Sequence, residues 1–180
     1  MKATVRIELY DGSQEKEWND FVRRSKNGTF LFLRGYMEYH RDRFEDHSLL
    51  IWNDKGDLIA LLPANKRGDT LISHEGLTYG GFATDETMKT PKMLELFNYT
   101  LAFLKEHSFT RWIYKTVPHI YHAIPAEEDQ YALFLCNAAV TRRGVLTVVQ
   151  SASRPEFQER RSRAVRKALA SSLVVRLSGD

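Results

Sequence analysis

The chain has 180 residues, of which 43% are apolar, 12% aromatic and 27% charged. This is enough apolar material for one core of ordinary domain size, and it excludes disorder over most of the length. The single Cys, Cys136, excludes an internal disulfide and a thiolate zinc site, and no apolar run approaches the ~18 residues of a membrane span. The first residues, MKATVRIELYDG, carry charge where a signal peptide is apolar, so the expected location is the cytoplasm. The net charge of +3 is unevenly placed: residues 151–180 hold 7 Lys and Arg against 3 Asp and Glu.

In chain order, Val5, Ile7 and Leu9 alternate with Thr4, Arg6 and Glu8, the pattern of a strand, and Asp11-Gly12 ends it. Ser13 is placed to cap a helix with Trp18, Phe21 and Val22 on one face, stopped by Asn27-Gly28. Thr29 opens a second amphipathic segment running through Tyr36, Tyr39 and His40 to Phe44. The helical spacing of those side chains predicts core packing. Ser48 to Trp52 and Leu58 to Pro63 flank a polar turn with Gly56 and predict a hairpin; a second turn at Lys66 to Asp69 leads to Thr70 to Ser73. A glycine-bearing connection, His74 to Phe82, precedes the longest helical pattern, Met93 to Leu104. Trp112, Tyr114 and Thr116 predict a strand, Pro118 and Pro125 bracket a loop, and Ala126 to Cys136 reads as a short helix. Val145 to Val149 predicts a further strand. Pro155 is expected in the first turn of a basic helix ending near Ser172, before an apolar stub at Val174 to Leu177.

Several residues carry candidate chemistry. His119 and His122 are three apart and would face one another on a helical turn, offering a base near neutral pH; with no third ligand in reach, no metal site is expected. His74 and Glu75 end a strand pointing to opposite faces, so only one can serve a cleft. Tyr79 offers a hydroxyl. His74, Tyr79 and His122 are the catalytic candidates, and Gly76, Tyr79, Gly80, Gly81, His119 and Tyr121 the substrate- or cofactor-binding ones. Cys136, among Leu133, Phe134 and Leu135, reads as a buried small residue. Arg160, Arg161, Arg163, Arg166 and Lys167 form a dense basic run that either contacts phosphates or is a solvated helix face.

The order of these elements resembles the GNAT acyltransferase fold, an α+β architecture with a mixed, mostly antiparallel sheet flanked by helices. The resemblance implies a sheet that splays between two strands to admit an acyl-CoA thioester, with Gly76 to Gly81 in the place of the pyrophosphate loop. That stretch lacks the usual basic leader and Gly-x-Gly pattern. The phrases Asn27-Gly28-Thr29-Phe30, Tyr36-Met37-Glu38-Tyr39-His40, Leu61-Leu62-Pro63-Ala64, Gly76-Leu77-Thr78-Tyr79-Gly80-Gly81 and Pro118-His119-Ile120-Tyr121-His122 resemble the first half of bacterial FemAB-like GNAT proteins. That likeness covers nearly all of the chain and implies one GNAT-like domain over 1–180, with 153–180 a basic helix and stub leading toward a second module. It further implies N-acyltransferase or aminoacyltransferase activity in peptidoglycan or polysaccharide biosynthesis. The donor would be acyl-CoA or aminoacyl-tRNA, and the acceptor an amine-bearing cell-envelope or sugar-nucleotide precursor. Two other readings stay open: a non-catalytic half that needs a partner module or a second copy, and binding of tRNA or other RNA through the basic helix.

Overall fold

A computed structural model describes residues 5–145, 147–171 and 174. The chain divides into two compact units, residues Met1–Ala139 and Val140–Asp180.

The first unit is α+β, as expected from the sequence. Strand β1 (Arg6–Leu9) is followed by helix α1 (Glu15–Arg24), whose buried stripe is Trp18, Phe21 and Val22. Ser13 does not cap that helix: its amide and hydroxyl both bond Asp11 Oδ1, and Gln14 takes the cap position without a side-chain bond. The next stretch differs more from expectation. It breaks into a 3-10 turn (Phe30–Phe32), the single helical turn α2 (Arg34–Met37) and a second 3-10 turn (Glu38–His40). Leu31, Phe32, Arg34 and Met37 fill the inward positions, which rotates Tyr36 and Tyr39 outward to 43% and 79% exposure. The predicted core packing of those two rings is thereby overturned.

Arg34 is the reason for the break. Its guanidinium is buried and binds Glu38 and Asp46, donates to Ser48 Oγ at 3.3 Å, and lies 3.5 Å from the centre of the Tyr10 ring. A buried fork of donors needs several acceptors at once, and α2 ends where those acceptors are reached.

A meander follows: β2 (Glu45–Asp46), β3 (Leu49–Trp52), β4 (Leu58–Leu62), β5 (Asn65–Arg67) and β6 (Thr70–Ile72). β3 and β4 pair antiparallel, as do β2 and β5, so one long bent hairpin serves two sheets. The hairpin bends at Ser48 and Ala64, where the Ser48 hydroxyl accepts the Ala64 amide and His47 N bonds Ala64 O. The first sheet runs β1-β3-β4-β7, with β7 at Ala83–Thr84; the second runs β2-β5-β6-β8, with β8 at Arg111–Ile113. Between β7 and β8 lies α3 (Thr90–Glu106), with Pro91 in its first turn, and α4 (Glu128–Leu135) packs on α3. Two clusters form the core. One packs α1 and the 3-10 turn on the first sheet through Trp18, Phe32, Leu50 and Leu61; the other packs α3 through Met93, Leu96 and Phe97. Strand, helical segments, antiparallel meander, long helix and parallel strand is the order the GNAT resemblance implies.

Cys136 lies just past α4 and is exposed, contrary to the expected burial, because α4 packs inward through Ala132 and Leu133 and leaves Tyr131, Phe134 and Leu135 exposed.

The second unit holds a 3-10 turn (Ser151–Ser153) and helix α5 (Glu159–Ala170). Val145, Val148 and Val149 form no strand; they are 99%, 43% and 57% exposed. An apolar run makes a strand only beside a hydrogen-bonded neighbour, and no ladder reaches these residues. Pro155 precedes α5 instead of sitting in its first turn, since Gln158 is the extended cap residue whose carbonyl receives the Arg161 and Ser162 amides. The end of the predicted stub, 175–177, lies outside the described residues.

Candidate functional site at the parting of two parallel strands

β6 and β8 are the parallel pair of the second sheet, in register Thr70 with Arg111, Leu71 with Trp112 and Ile72 with Ile113. The ladder stops there. Ser73 N makes the last rung, 2.9 Å to Ile113 O; His74 N then turns back onto Ile72 O, with His74 at φ +53°. Left-handed backbone at a histidine is uncommon and marks a forced turn. Past this point the two chains separate, and residues 74–82 fold back across the gap.

That return segment explains the glycines. A Cβ on Gly80 would lie 2.3 Å from Ser73 O, and one on Gly81, at φ +83°, would lie 2.7 Å from the Tyr114 ring and 2.8 Å from Lys115 O. A Cβ on Gly76 would lie 2.6 Å from the Phe44 ring. All three glycines thus admit close approach by the chain's own atoms. Lys115 Nζ donates to the carbonyls of His74 and Leu77 and ties the turn to the chain leaving β8. The segment also ends in β7, not in α3, and the residues before α3 are Asp85 to Lys89. The expected handover from glycine loop directly to long helix is therefore corrected: strand β7 and the residues Asp85 to Lys89 intervene.

Sequence candidates from separate stretches meet here. Tyr79 is buried and Tyr121 half-exposed; their rings stack with centroids 5.2 Å apart at 27°. The Tyr79 hydroxyl donates to Thr29 Oγ1 at 3.1 Å, so a third segment joins them. His119–Tyr121 forms one 3-10 turn. His122 Nε2 lies 3.1 Å from Val117 O; since a carbonyl only accepts, Nε2 is the donor, which in the neutral ring leaves the lone pair on Nδ1. That Nδ1 is buried without a hydrogen-bond partner. His119 points elsewhere, into a hollow of about 370 Å³ that it lines with Pro125, Ala126, Glu127 and Glu128. His74 is buried with its ring 5.6 Å from that of Phe44, and Glu75 faces away to bind Arg67 and Asn65. The five cations of α5 belong to the second unit.

Tyr114, Asp129, Asn27 and Lys26, none of them a candidate site residue from the sequence, organise the site. The Tyr114 hydroxyl accepts the Phe82 amide at 2.8 Å and donates to Asp129 Oδ2 at 2.9 Å, joining the return segment, β8 and α4. Burial first, then the neighbouring Asp129 charge, pushes the Tyr114 phenol well above its ordinary value. Burial likewise raises the Asp129 carboxyl, opposed by the hydrogen bond from Tyr114. Asn27 acts as a strand surrogate: its side chain accepts Thr84 N at 2.9 Å and donates to Phe82 O at 2.8 Å. Beside it Lys26 N bonds Thr84 O, while Lys26 O receives the amides of Ala123 and Ile124. Lys26 Nζ, buried, meets Glu128 at 2.6 Å. The period-two run Trp112, Tyr114, Thr116 signals Tyr114; Asn27 reads as a helix stop and as part of the Asn27-Gly28-Thr29-Phe30 phrase, neither of which reports its bonds to the return segment. Among the described residues no group of three or more His, Cys, Asp or Glu is placed to hold a metal ion.

No family model matches the sequence, and no curated protein matches it. Two solved structures are similar. One is the aminoglycoside antibiotic 6'-N-acetyltransferase AAC(6')-Ih from Acinetobacter baumannii, with 13% identity and a TM-score of 0.48, covering 82% of this chain and 99% of that one. The other is the aminoglycoside N-acetyltransferase AAC(6')-Iy in complex with CoA, with 8% identity and a TM-score of 0.47, covering 84% and 97%.

Proposed function

We propose that this chain is a GNAT-like, FemAB-like N-acyltransferase or aminoacyltransferase module. It would receive an amine-bearing acceptor of cell-envelope or sugar-nucleotide type beside Tyr79, Tyr121 and His122, with acyl-CoA or aminoacyl-tRNA as donor. The observation that carries the reading is the parallel pair β6/β8, whose ladder ends after three residue pairs and one further bond from Ser73 N, with Ser73–Gly81 and Tyr114–His122 continuing from its two ends. Amine attack on a thioester or ester mainly needs positioning, a deprotonated amine and donors for the developing oxyanion, with no nucleophilic side chain. His122, protonated on Nε2, offers Nδ1 as the base for the amine proton once the 119–124 turn swings aside. The stacked Tyr79–Tyr121 pair gives the acceptor a flat wall.

The test is thiol release from acetyl-CoA, and deacylation of aminoacyl-tRNA, against a panel of primary amines including amino sugars. Amine-dependent turnover that falls about 10²-fold in His122→Gln supports the reading, since general-base contributions are of that order. Absence of turnover and of binding for either donor defeats it. A second reading, a non-catalytic module acting with a partner domain, is favoured by one observation: Gly76, Gly80 and Gly81 pack on their own chain and leave no cradle for a donor. Acceptor binding without donor binding in a thermal-shift screen would support it.

A further inference from the structure

We propose that α5 is a membrane-surface helix that lies on anionic phospholipid bilayers, with its apolar stripe in the headgroup boundary and its cations on lipid phosphates. This is independent of the acyl-transfer reading. Helix α5 has 12 residues and buries none of them. Ala164, Val165, Ala168 and Leu169 fall at i, i+1, i+4 and i+5, one continuous stripe. Val165 and Leu169 are 48% and 80% exposed, and Phe157, just before the helix, is 51% exposed. Arg163 lies opposite the stripe, with Arg166 and Lys167 to either side of it and Arg160 on the flank next to Ala164. Arg161 falls in line with the stripe, one turn before Ala164 and Val165, where its aliphatic stem can lie on an apolar surface while the guanidinium reaches outward. Arg154 stands 4.4 Å from the centre of the Phe157 ring and brings a further cation to the apolar side. Glu159 is the one acid in the helix and lies 3.7 Å from Arg163.

The apolar stripe decides between partners. A nucleic-acid backbone would engage the cations and leave Val165, Leu169 and Phe157 in water. A bilayer of anionic lipid takes both faces, burying the stripe and attracting the cations, each of which adds to the affinity near a negative surface. No described helix is long and apolar enough to cross a membrane, so the helix lies in the interface.

The experiment is co-sedimentation of the full chain with vesicles of phosphatidylcholine alone and with about 30% phosphatidylglycerol, at about 0.05 and 0.5 M salt. The expected result is sedimentation with the anionic vesicles only, falling about tenfold at the higher salt. Leu169→Gln, which keeps a good helix former, and the pair Arg160→Gln with Arg163→Gln should each lower vesicle binding several-fold. Neither should move the tryptophan-monitored unfolding midpoint, since Trp18, Trp52 and Trp112 all lie in the first unit. Equal sedimentation with neutral vesicles, or none with anionic ones, overturns the proposal. So does retention on RNA that survives Leu169→Gln without vesicle binding, which would make α5 a nucleic-acid surface.

Discussion

Replacing Tyr114 by Phe removes one oxygen and leaves the ring in place against Phe82, Phe97 and Trp112. Two hydrogen bonds disappear with that oxygen. The Phe82 amide loses its acceptor, and Asp129 Oδ2 loses its donor. An orphaned buried donor costs about 1–3 kcal/mol, and a hydrogen bond to a charged group contributes about 1.5–3. The two losses share one atom and do not add fully, so the expected destabilisation is about 2–4 kcal/mol. With a urea slope of about 2 kcal/mol per molar, the middle of the usual range, the unfolding midpoint falls by about 1–2 M. Tryptophan fluorescence reads this directly, because all three tryptophans lie in the first unit. A second readout separates this from a simple packing defect: without the phenol, the Asp129 carboxyl should titrate still higher, since burial is then opposed by one bond fewer. A change below about 0.5 kcal/mol, the usual range for inconsequential surface substitutions, would show that the Phe82–Tyr114–Asp129 link does not hold the return segment.

Gly81→Ala combines a left-handed backbone with a Cβ 2.7 Å from the Tyr114 ring; it should cost about 2–4 kcal/mol in denaturant unfolding, well above the ~1 kcal/mol expected for Gly→Ala strain alone. Arg34→Lys keeps the charge but loses the fork that reaches Glu38, Asp46 and Ser48 together, and should destabilise by about 1–3 kcal/mol in the same assay. Because the folded Asp129 carboxyl holds its proton more tightly than the unfolded one, its contribution is fully present below the ordinary carboxylate pKa and is lost as pH rises through the raised folded value. Asp129→Asn, which can still accept from Tyr114, should flatten that part of the stability profile; an unchanged slope would contradict the burial argument. Tyr121→Ala should leave stability within about 1 kcal/mol while raising the acceptor KM several-fold, as read by steady-state kinetics on the amine found in the screen.

What the sequence made legible was whatever a local period or a turn residue encodes. The Trp18, Phe21, Val22 stripe, the β3/β4 hairpin around Gly56 and the long apolar helix follow from spacing alone, and each formed where expected. The 29–44 stretch failed because a buried arginine decided it. Arg34 looks like a solvent-facing residue in any hydrophobicity pattern, yet its set of acceptors turned Tyr36 and Tyr39 outward. Val145–Val149 failed for the opposite reason: it is a real β-branched apolar run, but strand formation depends on a neighbouring edge, which no local signal reports. In the candidate site, the convergence of Tyr79 and Tyr121 was foreshadowed by naming both stretches. The Tyr114–Asp129 and Asn27–β7 links join residues that have no common sequence signature.

The parting of β6 and β8 is most directly tested by amide chemical-shift mapping of the labelled chain while acetyl-CoA and, separately, an amino sugar are added. The account predicts saturable shifts concentrated at Ser73–Gly81 and Tyr114–His122, the two segments that separate after Ile72 and Ile113. Shifts confined to other surfaces, or none at all with either ligand, would contradict it.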